Sequence, residues 1–230
     1  MAVLIILLVV LLLLLLFGPN YWAQRTFKRY SKPRDDIPGN GAQLARHLLE
    51  KFNMSHVKVE ETEENGDHYD PRDKAVRLSP KNYSDKSLTA ITVAAHEVGH
   101  AIQDHQNDRM HNLRGRLVGI ANVVQQVGAG ILVILPFAAL ITRSPVISIL
   151  FFVAGLATMG ISTIVHLATL PVELDASFNK ALPILFKGNY IDEKDRPAAR
   201  KILRAAALTY VAASLASLLN LARWIAILRR

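Results

Sequence analysis

Four apolar stretches divide this chain, with two polar stretches between them. Residues 2–17 form an unbroken apolar run closed by Phe17-Gly18-Pro19. Further blocks cover 117–142 and 146–170, and a last apolar helix runs from 202 to 227. All 19 Asp and Glu fall in 18–116 and 171–204, so the apolar blocks carry none. That distribution predicts a mainly α membrane protein with four transmembrane helices and a small α+β unit in the polar parts. The division is 1–22 as N-terminal membrane anchor, 23–116 as polar catalytic region, 117–170 as transmembrane hairpin, 171–204 as a second polar segment and 205–227 as C-terminal membrane helix.

The first run has no Lys or Arg before Arg25 and no small-x-small cleavage site after it. It therefore reads as an uncleaved anchor rather than a signal peptide. Tyr21 and Trp22 suit the interface beyond it. Arg143-Ser144-Pro145 predicts a tight turn between the two central blocks. Asn122, Gln125 and Gln126 make the start of the first block polar, to face headgroups or protein.

Within 23–116 the periodicity changes. Leu44, Leu48, Leu49 and Phe52 recur at helical spacing, predicting a short amphipathic helix over 41–52. Val57-Lys58-Val59-Glu60 and Ala75-Val76-Arg77-Leu78-Ser79 alternate as strands do, the second after the turn-like Asp70-Pro71-Arg72-Asp73. A small sheet is expected there. From Ser87 to Gln106 the pattern is helical again, with Ser84, Asp85 or Ser87 available as N-cap.

Composition adds little beyond exclusions. The net charge is +8, but 18–116 holds 16 basic against 14 acidic residues, and the excess gathers at apolar flanks: Arg25, Lys28, Arg29, Lys32, Arg34, Arg229 and Arg230. A nucleic-acid partner is not expected, since its footprint is a dense basic face. The basic cluster after the first block places Met1 outside and both polar regions, with the active site, in the cytoplasm. The chain has no cysteine, which removes disulfides, thiolate ligands and a cysteine nucleophile.

The chemistry is carried by His96-Glu97-Val98-Gly99-His100. Residues four apart share one helix face, so the two imidazoles can grip one metal ion. Glu97 projects beside them, where a carboxylate can take a proton from water. Two histidines, a carboxylate and an open fourth position make a catalytic zinc arrangement, and zinc brings the pKa of bound water to roughly 7. Gly99 and Ala101 permit close backbone approach. The third ligand must come from another element. Glu173 lies just beyond the expected hairpin, on the same side as the histidines. Read from topology alone, it is either that ligand or a solvated carboxylate at a helix start. Pro171 is expected to end the preceding span and let a new helix begin.

Several strings together resemble the YugP-like bacterial membrane zinc metallopeptidases, also called neutral zinc metallopeptidases. They are Asp67-His68-Tyr69-Asp70-Pro71, Val76-Arg77-Leu78-Ser79, Ala94 through Gln103, Thr169 through Ser177, and Ala205 through Ala213. The resemblance implies a zinc-dependent membrane protease of the gluzincin type, binding one Zn2+, with Glu97 as general base and Glu173 as third ligand. Gluzincins often carry an Asp four residues after that Glu. Here Ser177 stands at that position, which leaves Asp175 as a candidate partner for the ligating histidines.

Other polar residues read more plainly. His105, five residues from His100, points off the ligand face and reads as solvated; His111 follows it. His166 reads as an interfacial hydrogen-bonding residue. Tyr210 is either helix packing or a donor to the tetrahedral intermediate. The strand ending Val76-Arg77-Leu78-Ser79 is either plain sheet or an edge template for an extended substrate. The expected partners are a protein or peptide substrate and the lipid bilayer. Two other functions stand beside peptide hydrolysis: a membrane hydrolase acting on a non-peptide bond such as a lipid ester, and a non-enzymatic membrane scaffold. Glu97 counts against the scaffold, since a structural site needs no base.

Overall fold

A computed structural model describes residues 2–142 and 145–228. Helix α1 (Ala2–Tyr30) carries the first apolar run straight through Gly18 and Pro19 into the basic cluster. Helix α2 (Gly41–Lys51) begins in a capping box, where Asn40 accepts from the Gln43 backbone and Gln43 reaches back to the Asn40 backbone. Its buried face is Leu44, Ala45, Leu48 and Leu49, the spacing that the sequence displays. Strands β1 (Lys58–Glu61), β2 (His68–Asp70) and β3 (Ala75–Leu78) make one sheet in the order β1-β3-β2. β1 runs parallel to β3 and β2 antiparallel to it.

That order corrects one expectation. β3 is the central strand, hydrogen-bonded on both sides, and Ala75, Val76 and Leu78 are fully buried. It has no free edge to offer a substrate strand. Strand β2 closes that edge; three residues, His68-Tyr69-Asp70, with one buried side chain, Tyr69, show no alternation long enough to read from sequence.

After the short α3 (Pro80–Ser84) comes α4 (Leu88–His105), capped by the Ser87 hydroxyl, which accepts from the Ala90 backbone. α4 is the central element of the core. Leu88, Ile91, Ala94, Ala95 and Val98 pack with α2 and β3 and with Leu182 and Leu185 of α7 (Leu182–Lys187). Ile202 and Leu203 of α8 (Arg196–Leu228) join the same cluster. Each of the Leu, Ile and Val side chains contributes about 1.5–3 kcal/mol by leaving water, which holds α4 firmly in the core.

The two central blocks lie in α5 (Arg109–Thr142) and α6 (Pro145–Leu174), packed against each other. At the crossing, a Cβ on Gly128 would come within 2.3 Å of Thr158 Cγ2, so a larger residue there would force the Thr158 side chain to shift. Gln125 donates to Ser162 Oγ across the pair at 3.0 Å, so this polar position faces protein. The expectation of four transmembrane helices is not met: among the described residues no helix is long and apolar enough to cross a membrane. Asn122, Gln125 and Gln126 stand inside the apolar stretch of α5, and Arg204 stands among the apolar residues of α8. The orientation inferred from the positive flanks rested on those spans, and nothing in the fold shows it. Arg143, Ser144, Arg229 and Arg230 lie outside the described residues.

Pro171 also departs from expectation. α6 continues through it to Leu174 instead of stopping. The helix then widens into a π-helical segment, Asp175–Ala181. π-Helical turns inside helices concentrate at functional sites, and this one begins two residues after Glu173.

Candidate metal centre

His96 and His100 sit one turn apart on α4, with ring centroids 4.7 Å apart and both side chains buried. Glu173 arrives from the end of α6 and is 1% exposed. Its Oε2 lies 3.2 Å from His96 Nε2 and 3.3 Å from His100 Nε2. The three atoms are close enough together for one ion to bind all of them.

The other ring nitrogens are occupied. His96 Nδ1 meets Ser177 Oγ at 3.2 Å, and His100 Nδ1 meets Gln103 Oε1 at 2.9 Å. With Nδ1–H donating to those oxygens, each Nε2 keeps its lone pair for a metal. The donor set, two imidazoles and one carboxylate with the tautomers fixed from behind, fits zinc. Gln103 is itself anchored, its amide donating to Val172 O at 2.9 Å and Asp175 Oδ2 at 2.8 Å. Asp175 therefore reaches His100 through Gln103, and Ser177 is the direct partner of His96. Gln103 is a link that spacing alone did not reveal; it lies three residues beyond His100, on the same face of α4.

Glu97 is buried next to this trio, 6% exposed. Burial pushes its carboxyl above the ordinary value, against the opposing pull of His96 and His100; Glu173 and Asp67 push the same way as burial. Glu173 behaves oppositely. Burial works to raise it, but the two imidazoles hold it well below the usual carboxylate range. Two acids in one site thus have separated proton affinities, the pattern in which one carboxylate ligates and the other exchanges protons.

Tyr210 enters from α8 and interacts with both Glu173 and Glu97. His111 and Arg114, from the start of α5, complete the wall. His111 is 6% exposed, with its ring 6.2 Å from that of His100, and Arg114 Nη2 lies 3.6 Å from Glu173 Oε1. Both residues precede the apolar block that begins at 117. Starting at Arg109, the helix sets positions 111 and 114 on one face. His105 is exposed near His56, and His166 is half-buried on α6; neither joins the trio. A second acidic trio, Asp36, Asp192 and Asp195, is an ion-pair network closed by Arg34 and Lys194.

Residues 4–229 match the family described as "Putative neutral zinc metallopeptidase". The chain belongs to this family. It is also 34% identical over 215 residues to a protein of Bacillus subtilis (strain 168) named "Putative membrane protease YugP", covering 91% of this chain and 92% of that one. No solved structure matches the chain. The resemblance seen in the sequence strings is therefore a family relationship that runs nearly end to end.

Proposed function

We propose that this protein is a membrane-associated, zinc-dependent endopeptidase, with His96, His100 and Glu173 as ligands and Glu97 as general base. The observation that carries the proposal is the buried convergence of the two Nε2 atoms on Glu173 Oε2, with Glu97 beside them. A zinc ion held there supplies Lewis-acid polarisation of the scissile carbonyl and lowers the pKa of water. Glu97 accepts the proton of the attacking water and delivers it to the departing amine. Its upward-shifted carboxyl suits a group that must hold the proton between those steps. Gln103 and Ser177 keep both imidazoles aimed, Asp175 steadies Gln103, and Tyr210 stands against Glu173.

Membrane association is supported by the name of the Bacillus relative and by exposed apolar side chains. Ile6 and Phe17 of α1, and Phe137, Ile141 and Val146 of the α5–α6 pair, are each at least 60% exposed. Surfaces of that kind mark contact with lipid or another apolar partner. Substrates that are membrane proteins or membrane-delivered peptides follow from that location. The test is hydrolysis by the purified, zinc-loaded protein of casein and of a lipid ester, side by side. Chelator-sensitive cleavage of casein is expected. Ester hydrolysis without peptide cleavage would instead favour the non-peptide hydrolase.

A further inference from the structure

Arg114 places a guanidinium at the metal centre and leaves its hydrogen-bonding capacity unused. Its only ion pair among the described residues is the 3.6 Å approach to Glu173 Oε1, beyond hydrogen-bond distance, and its buried Nε has no partner. Arginines committed to carboxylates look different in this molecule. Arg34 grips Asp195 as a bidentate fork, 2.8 Å on each arm. Arg77 donates to Glu60, Asp70 and Asp73. If the role of Arg114 were only to neutralise buried Glu173, the same closed fork would be the stable arrangement.

The environment of Arg114 is also costly for a cation. It stands beside the carboxylate that reaches the two Nε2 atoms, where a divalent ion would repel it. Its side chain is 31% exposed, so it borders open space rather than being sealed behind Glu173. One turn earlier on α5, His111 is buried with Nδ1 also unpartnered. An unpaired arginine nitrogen and an unpaired imidazole nitrogen thus line one side of the site, a setting in which a developing oxyanion finds a charged donor.

We propose that Arg114 is a catalytic residue that binds the tetrahedral oxyanion of peptide hydrolysis; this rests on the peptidase reading above. When the water oxygen bonds to the carbonyl carbon, the carbon–oxygen π bond breaks and its electron pair moves onto the carbonyl oxygen. Glu97 holds the water proton. The negative charge thus passes from Glu97 to the oxyanion, and Arg114 receives it. Collapse restores the carbonyl, breaks the carbon–nitrogen bond, and the proton leaves Glu97 for the amine.

The test uses full-length, zinc-loaded protein and two probes: a Phe-Ala phosphinic dipeptide capped at both ends, and the capped Phe-Ala peptide itself. The first carries the tetrahedral anion and the second does not. Arg114→Gln is expected to weaken phosphinate binding by about 10²-fold or more, the loss typical of one oxyanion donor. Arg114→Lys should recover part of that loss. Both variants should keep stoichiometric zinc and bind the neutral peptide within a few-fold of wild type, and casein turnover should fall in kcat rather than KM. Equal loss for both probes, or loss of zinc in both variants, overturns the proposal and makes Arg114 a support for Glu173. A zinc-loaded wild type that binds neither probe and cleaves no casein overturns the peptidase reading, and this proposal with it.

Discussion

Gly99 and Ala176 meet backbone to backbone: a Cβ on Gly99 would stand 2.9 Å from the Ala176 carbonyl oxygen. The contact joins the metal-motif helix to the π-helical segment that begins two residues after Glu173. Backbone cannot swing aside as a side chain can, so Gly99→Ala must push the segment away. Overpacking of this kind costs about 1–3 kcal/mol. Glu173 sits at the mouth of the displaced segment, so zinc affinity should fall by roughly one order of magnitude or more, with α4 still folded by circular dichroism. Unchanged affinity in a chelator competition would mean that this contact does not set the position of Glu173.

Gln103 and Ser177 predict a graded effect on the same measurement. Gln103 bridges His100, Val172 and Asp175, and it is 1% exposed. Gln103→Ala leaves buried partners unsatisfied and frees the imidazole, so zinc affinity should fall by roughly 10–100-fold. Ser177→Ala removes a single, longer hydrogen bond to His96 and should do less. Competition with a chromogenic chelator ranks the two; a reversed order contradicts the assignment of Gln103 as the principal support.

Much of this was legible in the sequence. The pair His96 and His100 follows from the helical period, α2 and α4 follow from their apolar periodicity, and Ser87 was one of three N-caps the sequence offered for α4, while the Asn40 cap of α2 went unread. The close approach at Gly99 was readable from its lack of a side chain, although its partner was not. Glu173 needed the family resemblance, because nothing local distinguishes it from a solvated carboxylate. Gln103, His111 and Arg114 were hidden for a different reason. Each acts across elements distant in sequence, and the start of α5 is polar enough to pass for a loop. The apolar blocks suggested membrane spans on charge distribution, but polar positions such as Gln125, which bonds across the helix pair to Ser162, interrupt them.

Asp104 gives a prediction in pH. It accepts from Tyr69 at 2.6 Å and pairs with Lys74 at 2.5 Å, fastening the β2–β3 turn to the end of α4. Burial works to raise its carboxyl, but Lys74 and Tyr69 outweigh it and hold it below the ordinary value of 3.8. A depressed acid contributes stability above its unfolded pKa and loses it as pH falls through the folded one. Asp104→Asn should therefore lower stability at neutral pH by about 1–3 kcal/mol. Below pH ~4 the wild type should lose stability more steeply than the variant. Denaturant melts across that range check this; parallel acid limbs would contradict it.

The account rests on a division of labour between two buried carboxylates, and the most direct measurement is zinc content and casein hydrolysis on the same preparations of Glu97→Gln and Glu173→Ala. Glu97→Gln should hold near-stoichiometric zinc while hydrolysis falls by roughly 10²–10⁴-fold. Glu173→Ala should lose zinc under mild chelation. Glu97→Gln with most of its activity, or Glu173→Ala with full zinc, would contradict the assignment of base and ligand.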